Sequence, residues 1–204
     1  MATVIDTLIF DRTQADVDRM VAQKMRILKN GWDSLTADEQ SEWLAGMRGA
    51  YNASDLNRVG QAVDFIAGRF ISIPQELAAY RVQKGVADSP YYIVPYDPTR
   101  VVVSPKTDWH GGTQPDTPTD TDVAAYLNNL TVLRSILPLP EDAPQVPESL
   151  ELLSYTTAND IERLLYMIYQ TLAQIEQEYY SRIDRTAQAF AYAGVYDAGE
   201  DWRM

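Results

Sequence analysis

Residues 51–65, YNASDLNRVGQAVDF, read as the start of an amphipathic helix, and residues 155–169, YTTANDIERLLYMIY, follow the same plan. In the first, Ser54 caps a helix whose Leu56, Val59, Val63, Ile66 and Phe70 recur on one face. Asp55-Leu56-Asn57-Arg58-Val59 aligns with Asp160-Ile161-Glu162-Arg163-Leu164 at a spacing of 105 residues. A second pair, Asp16-Val17 and Asp122-Val123, recurs at 106. Two helix starts in the same order at nearly constant spacing predict an internal duplication. Asp55 and Asp160 fall in the first helical turn, where the positive helix end favours a carboxylate. Arg58 and Arg163 follow three residues later, close enough for helix-placing ion pairs worth roughly 0.2–0.5 kcal/mol if exposed. No nucleophile or base recurs beside either pair, so the repetition reads as architecture rather than as twin active sites.

Outward from these anchors the chain is mainly α. Thr13 with Asp16 opens a helix over 13–30 that Gly31 stops, and Thr36-Ala-Asp-Glu39 is a capping box for the next helix, ending near Gly46 or Gly49. Pro74 predicts a break in the third helix, with Ser72 and Gln75 restarting it toward Gly85. YYIV and RVVV, around PYDPT, predict two short strands, and a loop rich in Gly, Pro, Thr and Asp follows. A helix capped by Thr119 runs to about Leu137, a proline-rich bend comes next, and a long last helix is expected from about Thr157 to Ala193. The organisation expected is two similar helical halves, 1–86 and 119–204, joined by a β-hairpin and loop connector at 87–118.

The net charge of −12, with no run of Lys and Arg, opposes binding to nucleic acid. There is no cysteine, and one histidine, which argues against zinc and disulfides alike. MATVIDTLIFDRTQ has neither the basic region nor the apolar run of a signal peptide, and no stretch of about 18 apolar residues occurs. A protein made in the cytoplasm without membrane insertion is expected.

Catalytic motifs are missing. A serine triad would depend on His110, in the loop, and no G-x-S-x-G presents a serine. Neither a Walker A loop nor G-x-G-x-x-G is present, so no cofactor is expected. Asp116, Asp120 and Asp122 offer oxygen ligands for calcium without the EF-hand glycine and glutamate, and helix capping is the plainer reading. A pair of distant carboxylates of the glycosidase kind stays open.

Thirteen tyrosines and four tryptophans are available to core, interface or sugar-stacking surfaces. Tyr91, Tyr92, Tyr96 and Trp109 form the candidate interface or ligand surface, with core packing as the alternative. In the last helix Ile161, Leu165, Ile168, Leu172, Ile175 and Tyr179 alternate in steps of four and three, the a/d seam of a coiled coil. Packing against the chain's own helices and self-assembly both fit that seam.

Three motifs suggest a family. D-R-T-x-x-D-V falls at Asp11–Val17, W-x-x-x-T-x-x-E-x-x-E-W at Trp32–Trp43, and G-A-Y-N-x-x-D-L-N-R-V at Gly49–Val59. In these, and in outline through its second half, the chain resembles small structural proteins encoded by phages and prophages of Firmicutes. It departs from them at its C-terminus, YAGVYDAGEDWRM. The resemblance implies a virion protein of the tail tip, baseplate or fibre-attachment region, without assigned chemistry and not an enzyme. On that reading it is an oligomeric adaptor in host adsorption, touching other virion proteins and released by lysis. The alternatives are a module recognising host surface glycan and a cell-wall hydrolase using two carboxylates.

Overall fold

Five α-helices organise this computed structural model, which describes residues 3–87, 93–111, 115–151 and 153–197, with side chains up to 192. They are α1 (Gln14–Asn30), α2 (Ala37–Ala45), α3 (Ala53–Gln83), α4 (Asp120–Ile136) and α5 (Tyr155–Asp197). Local chemistry sets most starts. Thr13 with Asp16, Thr36 with Glu39 and Thr119 with Asp122 each form a reciprocal capping box. A cap of this kind contributes about 1 kcal/mol. At α3 the cap is Asn52 rather than Ser54, and Asp55 bonds back to the Asn52 amide. α5 begins two residues before Thr157, whose amide donates to the Ser154 hydroxyl at 3.1 Å.

The break expected at Pro74 does not occur, and α3 runs through it as one helix of 31 residues. Phe70, Ile73 and Leu77 around the proline are almost fully buried. Burying each contributes about 1.5–3 kcal/mol, which together outweighs the ~3 kcal/mol that proline costs a helix interior.

The expected β-hairpin is also corrected, since the described residues contain no strand. Of the first expected strand, Tyr91 and Tyr92 lie outside the described residues, and Ile93 and Val94 form no strand. The second opens on a tight turn in which the Val102 amide donates to the Arg100 carbonyl at 3.0 Å, and the chain beyond it passes alongside α3 without a partner strand. Asparagine side chains replace that partner: Asn129 Oδ1 accepts from the Ser104 amide at 3.0 Å. Asn57 Oδ1 accepts from the Trp109 amide at 2.7 Å, while Asn57 Nδ2 donates to the Trp109 carbonyl at 2.9 Å. Buried backbone groups need partners, and side chains serve where no second strand is offered.

α3 and α5 lie parallel. Arg58 bonds Glu162 near the starts of both helices, and Tyr80 near the end of α3 bonds Asp184 of α5, each pair 104 residues apart. Midway, the rings of Phe65 and Tyr169 stand 5.8 Å apart. Ile66, Phe70, Ile73 and Leu77 on α3 meet Ile161, Leu165, Ile168 and Leu172 on α5, and α4 closes the core with Leu130 and Leu133. The core therefore draws on both expected halves at once, and the division into two similar halves finds no support. α1 and α2 stand apart from it as a hairpin: α1 buries only Gln23 and α2 buries no residue. No helix among the described residues is long and apolar enough to cross a membrane.

Candidate interaction groove and the charged joint beside it

The hairpin is fastened to the core by buried charge. Arg12, just before α1, donates from Nη2 to Asp55 Oδ1 at 2.7 Å and to Glu162 Oε1 at 2.6 Å. Arg58 reaches the same carboxylates, bonding Asp55 and donating to Glu162 from Nε at 2.9 Å and from Nη2 at 2.8 Å. Two guanidinium groups thus balance two carboxylates. Burial alone would weaken the Arg58 proton's hold, but the hydrogen bond and charge of Glu162 outweigh it and raise the Arg58 pKa. Backbone is drawn into the same cluster. The Ile9 amide donates to Glu162 Oε2 at 2.6 Å, and Asn159 clasps the Arg12 amide and carbonyl at 3.0 and 2.9 Å. Residues 9–12 are thus held along the start of α5 by its Glu162 and Asn159 side chains.

Beside this cluster the hydroxyls of Tyr51 and Tyr126 meet at 2.5 Å. Burial pushes both phenol pKa values up, so the pair stays protonated and joins α4 to the segment before α3. Gly49 completes the joint. A Cβ there would lie 2.1 Å from the Asp16 carbonyl oxygen, so only glycine allows that approach of the chain to the start of α1. Every acid at this joint is saturated by arginine or backbone donors. The arrangement holds geometry; it offers no free base.

Between the hairpin and the starts of α4 and α5 opens a groove of about 1710 Å³. Val17 and Met20 of α1 form one wall, with Trp32, Trp43 and Leu44 from the α2 side. Tyr126 and Leu127 of α4 and Leu150 and Leu153 before α5 form the other. Leu44 is 68% exposed although it lines this space, an apolar side chain with no cover in the monomer. Around the rim stand Asp116, Asp120, Asp122, Glu148 and Glu151, with Lys24 and, 4.0 Å from Asp116, Lys106 as cations.

The structure separates the expected ligand surface. Tyr96 is buried edge-on against Phe70, ring centroids 5.1 Å apart. Trp109 is buried beside Asn57, with the Lys106 ammonium 3.8 Å from its ring centroid. Phe70 and Asn57 lie 13 residues apart on α3, roughly 20 Å along the helix, so Tyr96 and Trp109 share no surface. Tyr91 and Tyr92 lie outside the described residues. The seam of α5 also turns inward: Ile161, Leu165, Ile168, Leu172 and Tyr179 are buried in the chain's own core and Ile175 packs against it.

Of the two helix-placing pairs, Asp55 and Arg58 sit in the buried cluster. Asp160 is half-buried, Arg163 is exposed, and it is Glu162 that turns toward α3. His110 is exposed with Nδ1 3.2 Å from Asp116. The His110 amide holds the Asp116 carboxyl below its usual range, and Thr119 does the same for Asp122. These aspartates are engaged separately, and no group of three potential ligands converges on a metal among the described residues.

Sequence reasoning missed Arg12 and the part Glu162 plays, whose partners lie up to 150 residues away. In the sequence Trp32 stands out as a motif residue and Trp43 as a motif residue on the second helix; nothing there joins them to a groove. Comparison of the chain with protein-family models, curated proteins and solved structures finds no match.

Proposed function

We propose that this chain is a virion structural protein of a phage tail tip, baseplate or fibre-attachment region, working as an oligomeric adaptor without chemistry of its own. The observation that carries the adaptor role is the open apolar groove beside the buried charged joint. The resemblance supports the setting. Its three motifs meet here in space: Arg12, Asp55 and Arg58 build the joint, Gly49 permits it, and Trp32 and Trp43 line the groove. Those motifs therefore describe one assembly, a hairpin set at an angle to a core.

Homo-oligomer formation is assigned to the end of α5 rather than to its inward seam. Residues 188–192 are all exposed, with Phe190 at 61% and Tyr192 at 69%. A helix exposed on every side with aromatic residues is fitted for a partner.

The test is co-sedimentation. In a lysate of cells producing phage that encodes this chain, the protein is expected to band with particles in a density gradient. Its recovery only among free proteins would overturn the assignment.

A further inference from the structure

The acidic rim narrows what the groove accepts. We propose that it seats one amphipathic helix of a partner protein, roughly three to four turns long, apolar on one face and rich in Lys and Arg beside it. This rests on the adaptor reading above and names the partner's chemistry.

Size comes first. A helix with its side chains is about 10–12 Å across and rises 5.4 Å per turn, so a space of about 1710 Å³ has the volume of roughly three to four turns. Val17, Met20, Trp43, Leu44 and Leu127 offer apolar contact from both walls, as helix-in-groove recognition requires. Charge comes second. Five rim carboxylates stand against two cations, Lys24 and the Lys106 that pairs with Asp116 at 4.0 Å, on a chain whose net charge is −12. That field attracts a cationic segment and repels an acidic one. A second copy of the chain brings the same negative charge to the same negative rim. The chain's own last helix cannot fill the groove either. α5 begins at the groove with Tyr155 and ends at Asp197, about 60 Å away along a straight helix.

The probes are two synthetic peptides of about 15 residues, one of Leu and Lys at amphipathic helical spacing and one of Leu and Glu. Binding is read from the protein's tryptophan emission, since Trp32, Trp43 and Trp109 line the groove and the peptides carry none. The Leu/Lys peptide is expected to saturate at one per chain and the Leu/Glu peptide to bind at least tenfold more weakly. The double variant Glu148→Lys/Glu151→Lys, at exposed positions, is expected to weaken the Leu/Lys peptide at least tenfold.

The decisive variant is Leu44→Glu, with Met20→Glu as its companion. Each adds negative charge while spoiling the apolar seat, so the proposal expects at least a tenfold loss. Unchanged or tighter binding in both would mean diffuse charge attraction and would overturn it. Equal binding of the two peptides would overturn the basic partner. Self-association of the unmodified chain that Leu44→Glu abolishes would give the groove to a second copy and overturn it equally. The two readings fail separately. A chain missing from particles removes the virion setting but leaves peptide binding intact, whereas absent peptide binding removes the groove assignment whatever the particles contain.

Discussion

Arg58 of α3 and Glu162 of α5 meet side-on through two hydrogen bonds, Nε to Oε2 at 2.9 Å and Nη2 to Oε1 at 2.8 Å. The pairing sets the register of two parallel helices. Arg12 lays a third chain segment across the same carboxylate at 2.6 Å. Loss of one partner strands charge in a place where water cannot compensate it.

Arg12→Met is therefore expected to cost about 3–5 kcal/mol, because it leaves two carboxylates to one guanidinium. Urea unfolding followed by circular dichroism measures it. The contrast is Asp160→Ala/Arg163→Ala at the corresponding repeat positions, where a change within about 0.5 kcal/mol is expected. Equal losses in both variants would make the two sites equivalent, against the structure.

Gln23 of α1 is 2% exposed, and neither atom of its amide has a partner among the described residues. An unsatisfied buried polar group is unfavourable, and an apolar side chain of similar shape removes the penalty. Gln23→Met is expected to raise stability by about 1 kcal/mol, seen as a higher urea midpoint at unchanged slope. A lower midpoint would show that the amide is bonded.

Two glycines of α3 should respond in opposite directions. At Gly60 a Cβ would fall 2.3 Å from the Lys106 carbonyl oxygen, backbone against backbone. Gly60→Ala is expected to cost about 1–3 kcal/mol through that clash. At exposed Gly68 nothing lies within 4 Å, so Gly68→Ala gains the roughly 0.5–1 kcal/mol that alanine brings to a helix. Thermal unfolding of both variants checks this, the Gly60 variant reporting the seat of Lys106 on α3.

Glu39 ties α2 to α1. It accepts two hydrogen bonds from Arg26, each 2.8 Å, and one from the Thr36 amide. The Arg26 hydrogen bond foremost, then the Thr36 amide, lowers its carboxyl from 4.5 to about 2. A depressed carboxylate stabilises the fold above its unfolded pKa and stops doing so as pH falls through the folded value. The hairpin is expected to loosen as pH falls from about 4.5 toward 2, reported by the fluorescence of Trp32 and Trp43. Glu39→Gln should flatten that part of the profile, and a profile identical to the unmodified protein's would refute the role given to Glu39.

What could be read from sequence was local. Thr13, Thr36 and Thr119 announce their helices because a cap needs only residues three apart. The helical class followed from the same signals and from apolar periodicity. Pro74 misled because its local penalty is outweighed by Phe70, Ile73 and Leu77, whose burial depends on α5. RVVV misled because valines favour an extended chain but do not supply a partner strand; the Val102 amide turns back on the Arg100 carbonyl, and beyond it Asn129 and Asn57 bond Ser104 and Trp109 from two helices. The apolar periodicity of α5 marks a face that packs, and only α3 lying parallel to it turns that face inward. The groove had no sequence signature, being formed by two tryptophans, a hairpin and the start of α4 that meet only once the charged joint closes.

The most direct measurement is mass spectrometry with lysine cross-linking on purified phage particles whose genome encodes this chain. The expected result is the chain at a fixed ratio to tail components, with Lys24 at the groove rim cross-linked to a lysine-rich helical segment of another virion protein. Absence of the chain from the particles would contradict its place in the virion.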